Sequence, residues 1–295
     1  MNKSDASSFS IMAGFFPDTD SPTTNRKIPI LDKVIQFSLV VFVVFSMFSI
    51  SVTQIAFALG ALSWILKVYL TQTWKELRGT KVGVAILCFC LAGILSIITS
   101  VDWESSIQLM KKLIQFVIFF WAANAIQNEK QRDLLTGLVI ITGIATALNG
   151  LAPLSGDHYI HRIKGAMSKE STYSGILMLS GLVNLAILLF QKPKTYWALG
   201  GLGIITSALM FTLTRQAWLG FFVGTIFLLF VCNKKLLFLL PLLFLGLSLV
   251  APTKVKNRML SFKNLQDDAF QQRASLWKSG WKIFKDHPIT GCGYK

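Results

Sequence analysis

Three basic elements stand where charge is expensive. The stretch FTLTRQAWLG, Phe211–Gly220, sets Arg215 between two long apolar runs. The C-terminal stretch QQRASLWKSGWKIFKDHPITGCGYK carries Arg273 one helical turn before Trp277, and RIKGAM carries Arg162 and Lys164. A guanidinium stays charged at any physiological pH and offers a planar fork of donors that matches phosphate oxygens. The chemistry open to such residues is to grip a lipid-linked phosphate. The plainer reading of Arg215 is a side chain snorkelling to headgroups beside an interfacial Trp218. For the tail it is a surface helix without chemistry. Acidic counter-charges are scarce, with 29 Lys and Arg against 14 Asp and Glu and a net charge of +15. An external anion is therefore the natural partner.

Other candidates are weaker. His158 and His161 follow Asp157 and could share a helical face as metal ligands, but two histidines without a firm third ligand read as a solvated loop. Cys88, Cys90 and Cys232 lie in or beside apolar runs and Cys292 stands apart. No CxxC occurs, so neither a zinc site nor a disulfide framework is expected. Gly291 and Gly293 lack the strand and helix of a dinucleotide fingerprint. Asp102 and Glu104 read as an exposed acidic turn rather than an acid–base pair.

The elements that must position these arginines are apolar helices. Hydrophobic residues make up 53% of the chain, charged residues only 15%, and mean hydropathy is +0.57. The predicted fold is all-α, a polytopic membrane protein of about nine spans. Val34–Leu70 as one helix would be about 55 Å long, nearly two crossings, so a turn is predicted at Ser49–Thr53. Further runs are Val82–Thr99, Leu113–Ile126, Leu134–Leu154, Tyr173–Phe190, Tyr196–Leu213, Ala217–Cys232 and Leu236–Ala251. The fourth span is the weakest, because Lys111 and Lys112 cut into its start. The glycines of ALGGLGIITSAL, Ala198–Leu209, predict close helix packing.

Charge sets the expected orientation. With the N-terminus cytoplasmic, every inner segment is basic: Lys3, Arg26, Lys27 and Lys33; Lys75, Arg78 and Lys81; Lys130 and Arg132; Lys192 and Lys194; Lys234 and Lys235. Arg215 then faces outward. Residues 1–30 are polar, lack the order of a signal peptide and are expected to form a disordered cytoplasmic tail. Residues 31–251 form the helical membrane domain. Residues 252–295 hold nine Lys and Arg against three Asp; they read as the start of an outer loop with an amphipathic helix, in which Trp277, Trp281 and Phe284 recur at helical spacing. Membrane lipids are expected partners, and no nucleic-acid motif is present.

These motifs, in this order and on this side, carry a resemblance. The tail "RASLW…DHPITGCG" resembles the signature region of the O-antigen ligase/polymerase family of bacterial inner-membrane proteins. TRQAWLG resembles that family's arginine at the outer mouth of paired spans, and RIKGAM, from Arg162, resembles its basic segment before the sixth span. The resemblance implies a glycosyltransferase of the inner membrane working at the periplasmic face, where residues 252–295 would lie. The donor would be a glycan on undecaprenyl diphosphate. A ligase would pass it to lipid A–core, a polymerase to another glycan acceptor. No cofactor or metal is implied. Arg215 and Arg273 match diphosphate-binding arginines, with Arg162 as a third. The histidine that activates the acceptor is implied beyond Lys295, so this chain would be the N-terminal part of such an enzyme, or a truncated product. His287, in the DHP turn, does not take that role. A transporter of lipid-linked glycans is the alternative from another class; it needs charge at mid-membrane.

Overall fold

The computed structural model describes residues 27–73, 80–98, 100, 104, 111–152, 163–191, 196–238 and 268–288. Every regular element among them is a helix. In chain order these are α1 (Lys27–Phe45), α2 (Ile50–Thr71), α3 (Thr80–Ile98), a 3-10 turn at Lys111–Phe116 running into α4 (Val117–Ala125), α5 (Glu129–Leu151), α6 (Glu170–Phe190), α7 (Tyr196–Phe211), α8 (Arg215–Cys232), a 3-10 segment at Lys234–Phe238, and α9 (Asp268–Asp286).

The chain spans a membrane. Helices α1, α2, α5, α6 and α8 are long and apolar enough to cross one; α4 and α7 are shorter apolar helices, and α3 carries the apolar stretch Lys81–Ile97. The ninth predicted run lies outside the described residues apart from its start in the Lys234–Phe238 segment. The shortness of α4 follows the two lysines at its approach, where the backbone winds as 3-10 rather than α.

The first predicted turn sits earlier than its sequence suggests. The chain turns at Ser46–Ser49, and Ile50–Thr53 is already helical. Hydroxyls explain the shift. Ser46 Oγ donates to Val43 O at 2.8 Å, and Thr53 Oγ1 donates to Ser49 O at 2.7 Å. Thr53 thus bonds back onto its own first turn and continues the helix instead of breaking it.

The chain forms two units. The first contains residues 1–39, 55–131 and 264–295. Its core is Trp121 of α4, fully buried, against Gly60 of α2. A Cβ on Gly60 would lie 2.2 Å from Trp121 Cζ2, so only glycine admits the indole. Phe57 packs on the same ring with centroids 6.0 Å apart. Gln36 Nε2 of α1 donates to the carbonyl of Ala125 at 2.8 Å, and Lys67 of α2 pairs with Asp32 of α1, each about one-fifth exposed.

The second unit contains residues 40–54 and 132–263. Its core joins Ala147 of α5, Tyr173 and Leu177 of α6, Ile205, Ala208 and Leu209 of α7, and Ala217 of α8. Small residues set the approach of these helices. A Cβ on Gly201 would lie 2.5 Å from Ile144 Cδ1, and one on Gly143 would lie 2.8 Å from Ser180 Cβ. Of the glycines in α7, Gly201 makes the close approach that the composition predicts, whereas a Cβ on Gly200 or Gly203 would meet nothing within 4 Å.

Candidate functional site

The turn between α7 and α8 is three residues, Thr212–Leu213–Thr214, and it delivers Arg215 as the first residue of α8. The turn is held from below. Thr212 is fully buried and its hydroxyl donates to Leu209 O at 2.7 Å. Trp218 Nε1, one turn into α8, donates to the same carbonyl at 2.9 Å. Its indole N–H therefore points to protein rather than to headgroups, and Trp218 ties the start of α8 to the end of α7. Leu213 has φ of 52°, the left-handed region that costs a branched residue about 1 kcal/mol or more. Such a conformation persists where the surroundings over-determine it.

Arg215 is half-buried at a helix N-terminus. That end carries a partial positive charge from the aligned peptide dipoles. The Thr214 side chain, at the N-cap, does not cap the helix; its hydroxyl turns to Thr212 O at 3.2 Å. A cation placed there adds to the dipole instead of offsetting it. Dipole and guanidinium together favour an anion there.

A second basic element reaches the end of α7. Ile163 N donates to Phe211 O at 3.5 Å, and Ile163 is buried in the core around α7. This contact joins the segment before α6, with its exposed Lys164, to the end of α7. The segment is fixed by Tyr173. Its ring is fully buried, its hydroxyl donates to Thr146 O at 2.8 Å, and two glycines make room for it. A Cβ on Gly150 would lie 2.0 Å from the Tyr173 oxygen, and one on Gly165 would lie 2.6 Å from Cε2. Gly165 also has φ of +55°, which glycine alone adopts without cost. Tyr173 thus clamps the end of α5 and the segment before α6, which carries Lys164.

Of the three arginines that the sequence singles out, Arg162, like His158 and His161, lies outside the described residues. Arg215 belongs to the second unit and Arg273, exposed on α9, to the first. Sequence reasoning missed Tyr173, Gly150, Gly165 and the capping role of Trp218. Gly165 and Tyr173 lie eight residues apart around the span start, the one local signal that could have marked them.

The model of a family described as O-antigen ligase matches residues 200–295, a segment that holds both Arg215 and Arg273. No curated protein and no solved structure matches the chain.

Proposed function

We propose that this protein acts in transfer of a glycan from undecaprenyl diphosphate to an acceptor at the periplasmic face of the bacterial inner membrane, a reading supported by the match of residues 200–295 to the model of a family described as O-antigen ligase. The acceptor in this reading is lipid A–core, and the protein is a ligase or the N-terminal part of one. A polymerase of the same family differs only in using a second lipid-linked glycan as acceptor. The observation that carries the reading is Arg215, a half-buried guanidinium at the N-terminus of α8, in the segment that matches the family model.

The reaction balances simply. An acceptor hydroxyl oxygen attacks the anomeric carbon, the bond from that carbon to the phosphate oxygen breaks, and undecaprenyl diphosphate leaves with the electron pair. The hydroxyl proton passes to a base. Negative charge grows on the bridging oxygen, and Arg215 with the α8 dipole stabilises it where water is scarce. Arg273 and Arg162 are the further diphosphate-binding residues of the proposal. Among the described residues, ionisable groups in the spans are few, which favours chemistry at a surface over carriage through the membrane.

The test is glycan transfer in cells lacking their own ligase and expressing a full-length version of the protein, extended beyond Lys295, or its variants, read as capped lipopolysaccharide on gels. Arg215→Ala is expected to lower transfer by roughly 100-fold or more, the scale of removing one preorganised charge-stabilising donor. Arg215→Lys keeps the charge but not the fork and should fall between the two. Unchanged capped lipopolysaccharide in Arg215→Ala removes Arg215 from the mechanism.

A further inference from the structure

Helix α9 is amphipathic in a way that its four cations divide unequally. At about 100° per residue, one half of the helix carries Leu276, Trp277, Gly280, Trp281, Ile283 and Phe284. The other half carries Gln271, Ser275, Lys278, Ser279, Lys282 and Lys285. Arg273 does not join the lysines. It lies in the middle of the apolar half, three residues before Leu276 and four before Trp277, on the stripe continued by Gly280 and Phe284.

The apolar half is open. Trp277 is 81% exposed, Leu276 70%, Trp281 61% and Phe284 54%. Trp281 and Phe284 stack with centroids 5.5 Å apart, and Lys285 Nζ lies over the Trp281 ring, 5.8 Å from its centroid. A soluble surface rarely leaves so much contiguous aromatic area to water. This chain already spans a membrane, so a bilayer is always at hand. Tryptophan settles at the headgroup level, and lysines beside it reach lipid phosphates.

We propose that α9 docks on an anionic phospholipid bilayer, with Leu276, Trp277, Trp281 and Phe284 entering the headgroup–acyl boundary and the lysines of the other half, Lys278 and Lys285 nearest the apolar half and Lys282 behind them, drawn to the phosphates. Charge complementarity selects this occupant: four cations lie between the two aspartates at the helix ends. Docking carries Arg273 on the buried face to the depth of the phosphates, where the anion that meets it is one attached to a lipid. This inference stands apart from the transfer reaction and its outcome does not depend on it.

The experiment uses the full chain in liposomes, with Cys88, Cys90, Cys232 and Cys292 replaced by serine. Single nitroxide labels are placed through Trp277→Cys and Phe284→Cys on the apolar half, and Ser275→Cys and Ser279→Cys on the polar half. All four positions are exposed, so the labels disturb no core. Relaxation by oxygen reports acyl depth, and relaxation by a water-soluble nickel chelate reports water. With phosphatidylglycerol present, labels at 277 and 284 should meet oxygen but not nickel, and labels at 275 and 279 should meet nickel. In phosphatidylcholine alone, or with Lys278, Lys282 and Lys285 changed to glutamine, nickel access at 277 and 284 should rise several-fold. Equal nickel access at all four positions overturns the docking. So does shielding of 277 and 284 from both reagents, which would mean a face packed on protein. Indifference to phosphatidylglycerol and to the lysine changes overturns the anionic preference.

Discussion

At the residue scale, the geometry around Arg215 depends on small contacts that can be broken singly. Tyr173→Phe removes one hydrogen bond to Thr146 O and is expected to cost about 1 kcal/mol. Gly165→Ala should cost more. Its Cβ would meet the Tyr173 ring, an overpacking worth roughly 1–3 kcal/mol, and its positive φ would add about 1 kcal/mol. Thermal unfolding of the purified protein in detergent orders the two; a Gly165→Ala protein as stable as the wild type would mean that the Tyr173 clamp is absent. Arg215 was legible in the sequence because a charge inside an apolar stretch is conspicuous. The joining of the Lys164 segment to the end of α7 was not, because the Ile163–Phe211 hydrogen bond links residues far apart in the chain. Glycines 150 and 165 read as punctuation until the ring between them is seen.

At the element scale, helix existence followed hydropathy and helix ends followed hydroxyls and lysines. The runs matching α1 to α8 were legible, as was the weakness of α4; the Ser46–Ser49 turn was displaced because Ser and Thr can extend a helix by bonding back to it. Hydropathy is blind to single polar residues within a run, and two matter. Asn184 of α6 is fully buried beside Gly201 of α7, and among the described residues neither of its amide atoms has a hydrogen-bond partner. An unsatisfied buried amide costs about 1–3 kcal/mol. Asn184→Leu, close in size and apolar, should therefore raise the unfolding temperature; a lower one would show that the amide is hydrogen-bonded in the membrane. The Lys67–Asp32 pair ties α2 to α1. Asp32→Asn strands a partly buried ammonium and should destabilise by roughly 1–3 kcal/mol, and adding Lys67→Gln should recover part of that loss. Simple additivity of the two changes would mean that the pair does not couple.

At the scale of the whole molecule, the all-α membrane architecture was legible from composition, because apolar runs of this length have few other uses. Sidedness rests on the basic segments, and it makes a prediction of its own. A cysteine at position 215 should react with a membrane-impermeant maleimide added outside spheroplasts, and a cysteine at Lys130 should react only after permeabilisation; the reverse pattern would put the Arg215 turn in the cytoplasm, where the proposed donor glycan is not presented. Arg215 drew attention as a charge, yet what the fold adds is its setting: the N-terminus of a helix whose Thr214 side chain does not cap it, and a second segment bonded to the end of α7 through Ile163. The most direct measurement of the central claim is binding of undecaprenyl diphosphate, with undecaprenol as the uncharged control, to the purified protein in nanodiscs. Arg215→Ala should raise the Kd for the diphosphate by about 10-fold or more, a loss of about 1.4 kcal/mol, and leave undecaprenol binding unchanged. Equal affinity of the wild type and Arg215→Ala for the diphosphate would contradict the account.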